Sequence, residues 1–149
     1  MSADCARRLR HAAAPVPTDG GPLARLTDAL APHGGMLEAD LLTDTMRQDH
    51  GQPVSVLSRW IVGRRALAMR ACASLRVPLF QFLPDPFRPH PVVEGVLLEF
   101  EEVLDDWEIA FWFVTPNASL GGMHPIRALR SDPERLLDVA RLDRFVARG

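Results

Sequence analysis

The sequence predicts a mostly α-helical fold, a small bundle with a short β-hairpin near 66–82 and a helix-turn-helix-like N-terminal part. Three observations predict it. Apolar residues recur at helical spacing over much of the chain, most clearly at Val93, Val96, Leu97, Phe100, Val103, Leu104 and Trp107. One stretch, from Arg64 to Phe82, instead alternates with the period of a strand. Proline and glycine cut the helical pattern into short pieces at Pro32-His33-Gly34-Gly35, His50-Gly51-Gln52-Pro53 and Pro116-Asn117.

Residues 1–21 mix Ala, Pro, Gly and Asp without lasting periodicity and read as a flexible tail. From Pro22, the residues Leu23, Leu26 and Leu30 share one helical face. Leu37, Leu41, Leu42 and Met46 form a second amphipathic stretch. Ser55 can cap a third helix with Val56, Leu57, Trp60 and Ile61 on its inner side. Together these make the helix-turn-helix-like segment 22–65. In the hairpin the chain is expected to turn near Ala71 to Ser74. A helix continuing to Leu75 is the rival, since alanine favours helix and no Asn-Gly or Asp-Gly marks the turn. Four prolines between Pro84 and Pro91 make a rigid connector that completes the segment 66–91.

Residues 92–149 read as a helical domain. Its first helix carries the Val93 to Trp107 stripe, with Glu94, Glu101, Glu102, Asp105 and Glu108 on the opposite side. Asp105-Asp106 caps a further helix through Val114, which places Phe111 and Trp112 in the centre of the core. Gly121-Gly122 permits a tight turn, and a short helix runs from Pro125 to Leu129. Ser131 or Asp132 caps the last helix, with Pro133 at its first position. The inner face expected for that helix is Leu136, Val139, Ala140, Leu142 and Val146.

Composition and charge narrow the function classes. The longest uninterrupted apolar run, Ile109 to Val114, is far short of the roughly 20 residues that span a bilayer. Arg7, Arg8 and Arg10 are not followed by an apolar core, because Pro15 and Pro17 break the alanines at once, so no signal peptide is expected. The expected location is cytoplasmic. The two cysteines, Cys5 and Cys72, form neither a disulfide framework nor a Cys-x-x-Cys pair. The histidines at 11, 33, 50, 90 and 124 are scattered, no nucleotide-binding glycine motif occurs, and Ser119 lacks a nucleophile-elbow context. No metal, cofactor or catalytic constellation is expected, and the chain reads as a non-enzyme.

The net charge of -2 hides a segregation along the chain. Arg59 to Arg88 holds six arginines against Asp85, and Pro89 to Ile126 holds seven acids and no arginine. Two readings are open. Arg59, Arg64 and Arg65 could meet DNA from the end of the third helix, or the basic block could pair with the acidic stretch Glu94 to Glu108.

The run Val77-Pro78-Leu79-Phe80-Gln81-Phe82, the aromatic stretch Trp107 to Phe113, Thr115-Pro116-Asn117, Leu120-Gly121-Gly122, Pro125, Leu129, and Asp132-Pro133-Glu134 with Ala140-Arg141 follow one another in a characteristic order. This pattern resembles the toxin-binding domain of Xre/MbcA/ParS-type antitoxins, the partners of RES-domain toxins, over about the last half of the chain. The resemblance implies an antitoxin that neutralises a cognate NAD-degrading RES toxin by covering its active site. Carried over by position, Arg141, Arg144, Phe145, Val146, Arg148 and Gly149 would approach the toxin. It also implies an N-terminal helix-turn-helix for operator DNA and dimerisation, hence a homodimer. The chain departs from that pattern before Gly51, where the segment is short and broken by proline.

Overall fold

The computed structural model describes residues 20–149; the tail assigned to 1–21, and Cys5 with it, lies outside them apart from Gly20 and Gly21. Among the described residues 57% are helical and 13% are in strands, arranged as two small antiparallel sheets and seven helices. The fold is therefore α+β, which corrects the mostly α-helical bundle expected from periodicity.

The correction comes from strands too short to show alternation. Met36–Glu38 (β1), expected at the start of the second helix, is a strand that pairs antiparallel with Ser74–Pro78 (β3), Leu37 lying opposite Val77. Met69–Ala71 (β2) pairs with β3 on its other side, so the order is β1-β3-β2. The hairpin between β2 and β3 turns at Cys72-Ala73, and Cys72 itself takes the left-handed conformation, φ 55°, that Asn or Gly more often fills. The proline-rich connector is a second hairpin, Phe82–Pro84 (β4) against Phe87–Pro89 (β5). Proline is tolerated there because the sheet has only two strands, each with one unpaired edge.

The three-stranded sheet divides two cores. Its pleat sends Met36 and Met69 to one side and Leu37 and Val77 to the other. The smaller core joins Leu37 and Val77 to Ala39–Met46 (α2), Pro53–Val62 (α3) and the second hairpin. Its centre is aromatic: Trp60 lies 5.9 Å from Phe82 and 6.3 Å from Phe87, which are themselves 4.6 Å apart between ring centroids. The larger core takes Leu26 and Leu30 from Pro22–Leu30 (α1) and the buried faces of all helices after residue 90. The expected helix-turn-helix-like part is thus split: α2 and α3 pack on each other, while α1 packs with the C-terminal helices and β1 enters the sheet.

Gln81 connects the two halves. Wholly buried between Phe80, which packs into the larger core, and Phe82 of the smaller one, its amide accepts from the Leu67 N–H (2.6 Å) and donates to the carbonyls of Leu67 (3.0 Å) and Pro78 (2.8 Å). A buried amide with these partners costs little to bury, and it holds the chain entering β2 in register.

The long stripe expected through Trp107 is two helices. Pro91–Phe100 (α4) begins at His90, whose Nδ1 accepts from the Val92 N–H (3.1 Å), and gives way to a turn after Phe100. Asp106–Phe113 (α5) restarts at Asp105 with a capping box: the Asp105 carboxylate accepts from the Glu108 N–H and the Glu108 carboxylate accepts from the Asp105 N–H, both at 2.8 Å. In α5 the wholly buried residues are Ile109, Ala110 and Phe113, whereas Phe111 and Trp112 are half-buried rather than central. Pro125–Ser131 (α6) and Pro133–Arg148 (α7) complete the chain.

Candidate functional site

The site picked out by sequence is the end of α7, and a rigid corner aims it. Asn117 makes the corner. Its side-chain oxygen accepts from the Ser119 N–H (2.9 Å), its carbonyl accepts from the Gly122 N–H (2.9 Å), and Gly121 and Gly122 take the positive φ values, 64° and 85°, that this closure requires. The Asn117 amide then donates to Asp143 of α7 (2.8 Å), and the same carboxylate oxygen accepts from the Trp112 indole N–H (2.7 Å). Arg135 adds a bond from its guanidinium to the Ser119 carbonyl (2.8 Å). The Pro-Asn-x-x-Leu-Gly-Gly stretch is thereby tied to α7 at both ends of the helix.

The other side of α7 lies along α4. A Cβ on Gly95 would stand 2.7 Å from a Leu137 methyl, so the absence of a side chain there permits the two helices to approach closely. Further on, Glu99 receives two arginines, Arg141 at 3.0 Å and Arg144 at 2.7 Å, and Arg148 reaches Glu102 at 3.1 Å. Three of the six tail residues are therefore engaged within the chain. The apolar ones are not: Phe145 is 64% and Val146 74% exposed, with Leu142 beside them at 51%. The Arg144 guanidinium lies 5.1 Å from the Phe145 ring, a cation–π contact that helps hold the ring outward. Gly149 ends the chain, exposed.

This overturns part of the expected inner face. Leu142 and Val146 point outward because the inward row runs from the buried Leu136, Val139 and Ala140 to the half-buried Asp143, whose polarity hid the continuation. Asp143 and Glu99 were missed by sequence reasoning. The signal available was spacing: 136, 140 and 143 follow each other at helical intervals.

The three arginines considered for DNA are not a free patch. Arg64 pairs with Asp106 at 2.8 Å, and the second oxygen of Asp106 accepts from the Ala68 N–H. Arg65 pairs with Glu94 at 2.8 Å. Basic and acidic blocks meet within the fold, and Arg59 alone of the three is exposed without an ion-pair partner among the described residues.

An open, almost wholly apolar pocket of about 470 Å³ lies between α1, the first hairpin's turn and α5, lined by Pro22, Leu23, Ala71, Cys72, Trp107 and Phe111. Among the described residues no histidine or carboxylate lines it, and the Cys72 thiol is exposed. Among the described residues no group of three or more His, Cys, Asp or Glu is placed to hold a metal ion, and no helix is long and apolar enough to cross a membrane. Two histidines are electrostatically distinctive. Burial, then Arg88, holds His90 below the ordinary imidazole pKa, in keeping with its neutral role as a helix cap. Burial holds His33 down too, followed by the charges of Arg130, His124 and Arg127. None of the protein families, curated proteins or solved structures compared with this chain matches it.

Proposed function

We propose that this chain is an antitoxin-like protein that binds and neutralises a RES-type, NAD-degrading toxin through its C-terminal helix. The observation that carries the reading is the exposed apolar face formed by Leu142, Phe145 and Val146 on a helix that Asp143 and Glu99 hold in place. Aromatic and aliphatic side chains held outward on a pre-ordered helix lose little freedom when a partner covers them, which favours their use as interface anchors. The residues that carry the family resemblance lie largely in the scaffold behind this helix: Trp112, Asn117, Gly121, Gly122 and Asp132 position α7. The second reading, a DNA-binding regulator using Arg59, Arg64 and Arg65, has less support because two of those guanidiniums are already paired.

Co-expression with a RES-domain protein, taken from the adjacent gene if that gene encodes one, tests the proposal. The expected result is a co-purifying complex and relief of growth arrest, both lost in the Phe145→Asp variant. A toxin that neither binds this chain nor is silenced by it would end the reading.

A further inference from the structure

Two aromatic rings of α5, Trp107 and Phe111, are only half-buried, and both line the open apolar pocket of about 470 Å³ between α1, the turn of the first hairpin and α5. They stand one helical turn apart, with ring planes inclined by 23° and centroids 6.5 Å apart, so together they make one aromatic wall. Pro22 and Leu23 supply the side from α1, and the small residues Ala71 and Cys72 leave the side from the hairpin low. The volume falls within the range of about 300–1,000 Å³ typical of small-molecule sites.

One charge is held against this wall. The Arg25 guanidinium lies over the Phe111 ring, 6.0 Å from its centroid. Arg70 is next to Ala71 in sequence, but successive side chains of a strand alternate, so it projects from the opposite face of β2. A guanidinium held over a ring keeps its N–H edges available, and that planar fork matches a carboxylate. No carboxylate lines the pocket, and Arg25 has no ion-pair partner among the described residues. An aliphatic chain would bury area here but would gain nothing from the faces of the rings, whereas a flat aromatic ligand gains both. We propose that this pocket binds a small planar aromatic carboxylate, with its rings against Trp107 and Phe111 and its carboxylate on Arg25. The site shares no residue with the apolar face of α7, so its occupancy does not depend on the antitoxin reading.

Calorimetric titration of the full chain with 2-naphthoate tests this, with Cys72 as an independent reporter because its exposed thiol lines the pocket. The expected result is saturable binding at one site. At a probe concentration about ten times its Kd, alkylation of Cys72 by iodoacetamide should slow about tenfold, while that of Cys5, read on a separate peptide by mass spectrometry, should not change. Arg25→Gln, on an exposed side chain, should weaken 2-naphthoate at least about tenfold and leave the neutral 2-naphthalenemethanol within about twofold. Ala71→Leu should abolish binding of both probes in a chain whose circular dichroism is unchanged. The proposal is overturned by a wild-type chain that does not bind 2-naphthoate, by Arg25→Gln binding it as tightly as wild type, or by decanoate binding equally well. Cys72 that resists alkylation without any probe also overturns it, and assigns the pocket to another part of the chain or to a second copy.

Discussion

Gln81 and His90 show how single polar groups hold this chain together. Replacing Gln81 with leucine keeps the volume but strands the Leu67 N–H and two buried carbonyls, so unfolding free energy should drop by about 2–4 kcal/mol in urea titrations. A loss below about 0.5 kcal/mol would mean that the amide is dispensable. His90 acts through its unprotonated Nδ1. Its folded pKa lies below the ordinary value of about 6.5, so the unfolded chain takes up the proton more readily. The stabilisation is complete above about pH 6.5 and is lost as the pH falls toward the depressed folded value, a direction His33 shares. Calorimetric melting temperatures should therefore decline from about pH 7 to pH 5, and His90→Asn, which keeps an N-cap acceptor, should flatten that decline. Neither role was legible in the sequence. Gln81 looked like one letter of a motif and His90 like loop polarity, because two of the three hydrogen bonds of Gln81 go to Leu67, 14 residues away, and that of His90 depends on where α4 begins.

Among elements, α5 and α7 divide the work of core and surface. Phe113 is wholly buried and packs 4.8 Å from Phe80 between ring centroids, so Phe113→Ala should cost about 3–5 kcal/mol. Phe145→Ala, on a ring that is 64% exposed, should change stability by no more than about 0.5 kcal/mol in the same denaturation assay. Equal losses would show that the end of α7 is part of the core. Two helix caps were readable, since Asp105 and Asp132 before Pro133 are local signals acting within one turn. The strands were not. β1, β2, β4 and β5 have three residues each, too few for a period of two to stand out, and they exist because β3 or a neighbouring hairpin arm supplies hydrogen-bond partners.

For the whole molecule, the segregation of charge along the chain becomes attraction across it. Arg64 and Arg65 reach Asp106 and Glu94, and the arginines of α7 reach Glu99 and Glu102. Each such partly exposed pair contributes only about 0.5–1 kcal/mol, yet all of them join segments distant in sequence and all are screened by salt. Raising sodium chloride from about 0.05 to 0.5 M should lower the melting temperature, and Arg64→Ala should reduce that dependence; a melting temperature indifferent to salt would show that the pairs contribute nothing. Order along the chain was enough to determine the caps at Asp105 and Asp132, the corner at Asn117 and the presence of opposed charge blocks, whereas the expected cap Ser55 lies inside α3, which starts at Pro53 after Gln52. Which arginines stay free, which side of α7 faces outward and how the strands pair was decided by tertiary structure alone. Those outcomes turn on competition for partners between distant segments, and the hydrogen bonds of the half-buried Asp143 to Trp112 and Asn117, rather than any local preference, turned Leu142, Phe145 and Val146 outward.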